Sequence, residues 1–245
     1  MVPLAQGDSK ERVLLMQQTI DRLSSIGYSH VAFCHTVYGK VKPDDAAETT
    51  FGLISKLNRG SLQVLTRLHI VVENLADVGH YTAENASIKL LLQNYDLVSL
   101  SPRNDAVFAA ACSTATLIDI ITLDYTSGRG GVQLPYKIRT LDVKAACKRG
   151  AVFEMHYSPA ILTLGQRKAF VATAQALQSS SLGSKPKVLL SSGDSNALRA
   201  PGDVINLMKT VLLFNPTISF AALSETGNYA IQTALRRKFG TIADI

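Results

Sequence analysis

Two charged residues stand alone inside runs that are otherwise apolar. Glu154 sits in Ala151-Val-Phe-Glu-Met-His-Tyr157, and Arg67 sits in Val64-Leu-Thr-Arg-Leu-His-Ile70. A lone charge in a buried strand is costly unless it is paired, so each residue implies a partner or a reaction. Glu154 could serve as a general acid or base, but no second carboxylate shares its strand to divide the acid and base roles. The favoured assignment is structural: Arg67 and Glu154 as internal charges joined in one ion pair or network. Of the five histidines, His35 and His156 lie near predicted strand ends and are the candidates for metal ligands. His30, His69 and His80 have no acidic neighbour in sequence and read as satisfied or surface side chains. There is no HxH and no HExxH, and metal sites need several ligands converging on one point. The expectation is no catalytic residue, no metal and no cofactor.

The remaining chemistry is cationic. Arg103, the pair Arg167-Lys168, Arg199 and the run Arg236-Arg237-Lys238 fall at or near predicted helix starts or on helix faces. Arginine suits bidentate phosphate contacts, and helix N-termini add free N–H groups. These seven residues are the candidates to face a polyanion such as RNA, with ordinary solubilising charge as the alternative for each. The formal charge of +6 and the pI of about 9.2 agree with either. Gly128-Arg129-Gly130-Gly131 is a single RGG-like step and reads as a loop tip.

Such residues need elements to position them, and the chain supplies a repeating unit. Lys148, Arg149 and Gly150 end a helix, residues 151–157 alternate as a strand, and Ser158-Pro159 opens the next helix. Strands are predicted at 28–35, 63–73, 96–100, 117–123, 151–157, 187–192 and 217–223. Helices are predicted at 9–27, 45–57, 82–95 (capped by Thr82), 104–115, 141–149, 159–179, 201–214 and 226–239. No hairpin signal joins two strands, so parallel pairing through helical crossovers is the economical topology. An eighth strand must come from residues 1–4. The length of 245 residues and 47% hydrophobic content suit one (β/α) barrel over the whole chain, 1–245. An open doubly wound sheet would carry a glycine-rich phosphate turn after its first strand, and none is present. No run is apolar enough to cross a bilayer, no signal-peptide pattern opens the chain, and Cys34, Cys112 and Cys147 lack CxxC spacing. A soluble, intracellular protein with reduced thiols and no membrane association is expected.

Several of these words also carry a family likeness. Leu65-Thr66-Arg67-Leu68, Tyr95-Asp96-Leu97-Val98, Leu134-Pro135-Tyr136, Arg149-Gly150-Ala151-Val152-Phe153-Glu154, Tyr157-Ser158-Pro159-Ala160-Ile161, Val188-Leu189-Leu190-Ser191-Ser192, Leu198-Arg199-Ala200-Pro201-Gly202-Asp203 and Phe239-Gly240-Thr241-Ile242 occur in order across nearly the full chain. Together they resemble the thirty-kilodalton protein subunit of eukaryotic and archaeal ribonuclease P, shared in eukaryotes with ribonuclease MRP. The resemblance implies a TIM-like barrel related to the PHP phosphoesterases, without catalytic activity of its own. It further implies a role in stabilising the catalytic RNA that removes 5′ leaders from precursor tRNA and acts in rRNA processing. The implied partners are ribonuclease P and MRP RNA, a ferredoxin-like protein subunit and other holoenzyme proteins, in the nucleus and nucleolus. The family opens on a strand with an acidic D-L-x-[VI] pattern, whereas this chain starts at Val2-Pro3-Leu4, so a truncated first strand is expected. A basic tail of the kind seen in many relatives is likewise not expected here. The competing expectation is a metal-dependent PHP-type phosphoesterase on the same barrel.

Overall fold

The computed structural model describes residues 2–3, 9–42 and 52–240. Seven strands form one sheet in sequence order: β1 (Val2–Pro3), β2 (His30–Tyr38), β3 (Gln63–Val72), β4 (Leu97–Pro102), β5 (Ile120–Thr122), β6 (Val152–His156) and β7 (Lys187–Ser191). Every neighbouring pair is parallel, in registers such as Cys34↔Arg67, Arg67↔Leu97 and Glu154↔Leu189.

Alternation along the strands divides the core in two. Leu68, Ile70, Val98 and Leu100 point outward and pack on Val107 and Ala111 of the helix Asp105–Ser113. Phe153, Met155, Val188 and Leu190 pack likewise against Val143 of Thr140–Arg149 and Phe170 and Leu177 of Leu164–Ser179. The opposite faces turn inward, where the sheet curls so that side chains of β3 to β7 meet in one polar cluster. Below that cluster, at the strand starts, Leu65, Leu97, Ile120 and Val152 form an apolar floor.

Local signals explain most boundaries. Gly150 ends its helix in the left-handed conformation at φ 85°, where a Cβ would come within 2.9 Å of the Tyr229 hydroxyl. The first strand is short, at two residues. Residues 45–51 of the predicted helix 45–57 lie outside the described part of the chain. Asn85, not Thr82, caps the helix Ala86–Leu92, accepting from the Ile88 N–H at 3.3 Å. The predicted helix 159–179 is two, Ser158–Leu162 and Leu164–Ser179, because extended Thr163 caps the second. The helix from Pro201 gives way to a π-helical turn at Leu207–Val211.

The largest correction concerns residues 217–223, predicted as a strand and found in the helix Pro216–Ala221. Asn215 accepts from the Thr217 N–H at 2.8 Å, and Pro216 takes the first helical position. This cap overrides the strand-like composition that follows. Among the described residues β7 therefore pairs only with β6, and β1 only with β2, so the barrel is left unclosed. The final helix, Glu225–Phe239, packs Ala230 and Ala234 onto the apolar floor and covers that end of the barrel.

Candidate functional site

Arg67 on β3 and Glu154 on β6 meet in the barrel interior, both almost wholly buried. The Arg67 guanidinium donates from Nη1 to Glu154 Oε1 at 2.8 Å, from Nη2 to Oε2, from Nε to Ser99 Oγ at 2.8 Å and from Nη2 to Thr122 Oγ1 at 3.2 Å. Thr122 and Ser191 in turn donate to the carboxylate at 3.0 and 2.9 Å. Both charges are thus matched by charge and hydrogen bonds, which a buried pair requires. Burial alone would raise the Glu154 carboxyl, but Arg67 and His156 outweigh it and hold the group well below the usual carboxylate range. A carboxylate in that state is a poor proton donor or acceptor near neutrality.

Above this pair the barrel opens in a cleft of about 230 Å³ lined by Thr36, Tyr38, His69, Arg103, Thr122, Asp124, Tyr125, Thr126 and His156, among others. His69 Nδ1 lies 2.9 Å from Ser99 Oγ. Burial, then the Arg67 charge and His156, push the His69 imidazole down to about 3, so it is neutral at pH 7. His156 Nε2 approaches Glu154 Oε2 at 3.3 Å. His35 is bonded instead to the Tyr95 hydroxyl at 3.0 Å, on the side of the sheet that faces the helices. The two candidate histidines therefore do not converge. Among the described residues no group of three or more His, Cys, Asp and Glu side chains is placed to hold a metal ion.

The depressed groups fix a pH dependence. His69 and Glu154 bind protons less readily folded than unfolded, so their contribution is complete above about pH 6.5 and declines as acid is added. The melting temperature should hold level from pH 8 to 7, fall from about pH 6.5, and fall faster below about pH 4.5. A His69→Gln variant should lose the upper part of that decline. Melting curves at fixed ionic strength that stay flat to pH 5 in the unaltered protein would contradict this assignment.

The basic candidates separate by environment. Lys168, Arg199 and Arg236 are exposed. Arg167 is exposed as well, and donates from Nε to the Ala160 carbonyl at 3.0 Å. Arg103 pairs with Asp124 at 2.8 Å on the rim of the cleft. Arg237 is not on the surface. Its guanidinium donates to both Asp119 carboxylate oxygens at 3.1 Å and to the carbonyls of Leu92 at 2.8 Å and Tyr95 at 3.3 Å. Lys238 is tied to Asp96 at 2.9 Å. Both charges serve to fasten the last helix to the barrel. Sequence reasoning missed Asp119, although it stands alone in Leu-Ile-Asp-Ile-Ile and carries the same signal that singled out Glu154.

The chain is similar to known proteins in sequence and in fold. The chain is 31% identical over 236 residues to the ribonuclease P protein subunit drpp30 of Dictyostelium discoideum, covering 89% of this chain and 60% of that protein. It is 30% identical over 231 residues to the ribonuclease P protein subunit p30 of Mus musculus, covering 90% of this chain and 78% of that one. It is also 30% identical to the Arabidopsis thaliana protein GAMETOPHYTE DEFECTIVE 1, spanning only 28% of its length. The fold matches a chain in the cryo-EM structure of archaeal ribonuclease P with mature tRNA, at a TM-score of 0.65 and 12% identity over 95% of this chain and 90% of that one. A. niger ochratoxinase shares the fold more distantly, with a TM-score of 0.51 and 7% identity over 91% of this chain and 65% of that one. Residues 5–238 match the RNase P subunit p30 family, to which this chain therefore belongs.

Proposed function

We propose that the protein is a non-catalytic subunit of ribonuclease P that stabilises the RNA of the particle during removal of 5′ leaders from precursor tRNA. The observation that carries this reading is the family match over residues 5–238. The relatives named as ribonuclease P subunits add support. The state of Glu154 supports the non-catalytic part: the best-placed interior acid is already matched by Arg67, Thr122 and Ser191. The reading extends to ribonuclease MRP and rRNA processing, to a nuclear and nucleolar location, and to a ferredoxin-like subunit as direct partner. Lys168, Arg199 and Arg236, with Arg103 and Arg167 beside them, are the side chains proposed to contact RNA.

Affinity purification of the tagged protein from its own cells, with sequencing of the bound RNA and mass spectrometry of the bound proteins, tests each part. Enrichment of ribonuclease P RNA with pre-tRNA cleavage is the expected result, and co-purified MRP RNA would extend it. Purification without either RNA would sink the assignment.

A further inference from the structure

Charge is distributed unevenly along this chain. Residues 143–193 hold seven lysines and arginines against a single acid, Glu154, which is a net +6 and the whole formal excess of the chain. Outside that stretch the two signs balance at eighteen each. Glu154 is buried against Arg67, and Arg149 is turned inward onto the carbonyls of Ala111, Cys112 and Ile118. Every charged side chain that residues 143–193 expose is therefore a cation. Soluble surfaces normally mix both signs, and a field of one sign attracts polyanions. Arg167 and Lys168 stand at one end of this sector, at the start of the helix Leu164–Ser179. The remaining cations gather at the other.

Local packing brings them together. Lys144 and Lys148 are one turn apart on the helix Thr140–Arg149 and share a face. A Cβ at Gly183 would lie 3.6 Å from Lys144 Nζ, and the Cys147 thiol faces the Ser184 side chain, so the turn that carries Lys185 lies against that helix. Lys144, Lys148 and Lys185 are exposed, and none of them forms an ion pair or hydrogen bond through its ammonium with a described residue. Asp142, the nearest acid in sequence, sits about 200° around the helix from Lys144 and lies near Arg139 and Asp105. Lys148, in the last turn, also suits the carbonyl end of its helix, but that role does not account for Lys144 or Lys185. The chemistry selects nucleic acid. Lysine is depleted at protein interfaces, whereas its ammonium serves phosphates as a point charge. Phe153, Tyr157 and Phe170 are buried, and the Tyr229 ring is covered by the Lys187 ammonium at 4.3 Å, so none of these rings is open to an unpaired base. What the surface offers is charge without base contacts, which fits the phosphate backbone of a double helix.

We propose that Lys144, Lys148 and Lys185 form a docking surface for the phosphate backbone of double-helical RNA, bound by charge and shape without sequence preference. This rests on the RNA-contacting role above and adds a face, away from Arg167 and Lys168, on which a helical segment lies. The test titrates the full chain with an RNA duplex of about 16 base pairs over a range of salt. Lys144→Gln, Lys148→Gln and Lys185→Gln together should weaken binding about tenfold or more, and should flatten the log–log salt dependence by about 0.9 for each lysine replaced. A control protein with the exposed Lys10, Lys56 and Lys89 changed to glutamine loses the same charge and should keep the parental slope. Duplexes of unrelated sequence should give the same values. Equal slopes for the parent and the first variant, or equal flattening in the control, would overturn the surface and leave the RNA-contacting role standing. Poly-glutamate that displaces the duplex from the parent at equal charge concentration would assign the lysines to an acidic protein and overturn the surface in the same way. A parent that binds no duplex overturns the surface and the role together.

Discussion

Replacing Arg237 with alanine should destabilise the protein by about 3–5 kcal/mol, because it strands the buried Asp119 carboxylate without its cation. That loss is a large part of the roughly 5–15 kcal/mol that holds a typical domain together. The carbonyls of Leu92 and Tyr95 would lose their donor in the same step. The adjacent exposed Arg236, by contrast, should tolerate alanine within about 0.5 kcal/mol. Urea unfolding of the two variants checks both statements. An Arg237→Ala protein as stable as the parent would show that the clamp contributes nothing and would return Arg237 to the surface cations.

The second large effect lies in the interior pair. Glu154→Ala alone should cost about 3–5 kcal/mol, since Arg67 would remain charged, buried and short of its main partner. Arg67→Met alone should cost a similar amount for the mirror-image reason. The double variant Arg67→Met with Glu154→Leu should recover most of that loss, because an apolar pair of similar volume has no charges to desolvate. A double-mutant cycle by denaturant unfolding reads the coupling directly. The same variants bear on mechanism. Under the proposed role in ribonuclease P, reconstituted particles containing the folded double variant should cleave precursor tRNA at the parental rate. A stable double variant that assembles yet has lost cleavage would make Glu154 a participant in the reaction.

How much of this was legible in the sequence depends on the distance over which the deciding partner acts. The helix end at Gly150 and the strand through Glu154 were readable because their signals are local: cations in the last turn, a glycine able to take φ 85°, then alternation. The helix Pro216–Ala221 was misread because apolar, β-branched composition was weighed above the Asn215-Pro216 start signal beside it. The burial of Arg237 was hidden for a different reason. In a helix, consecutive residues point about 100° apart, so Arg236 and Arg237 face opposite environments despite being neighbours. The buried positions Thr226, Ala230, Ala234 and Arg237 follow the spacing of one helix face. That stripe of small residues ending in arginine was the available clue, but its partner Asp119 is 118 positions away.

The clamp at Arg237 also sets an order of events for the newborn chain. Its contacts with Leu92 and Tyr95 reach back 145 and 142 residues, and contacts that distant must wait for the whole intervening chain and slow folding in proportion. A ribosome that has released all seven strands but not the closing helix displays the floor of Leu65, Leu97, Ile120 and Val152 uncovered, with Asp119 lacking Arg237. Such a half-made barrel has the exposed apolar surface that chaperones hold and that aggregates seek. Nascent chains stalled before residue 225 should therefore remain protease-sensitive, and resistance should arrive in one step as the final helix emerges.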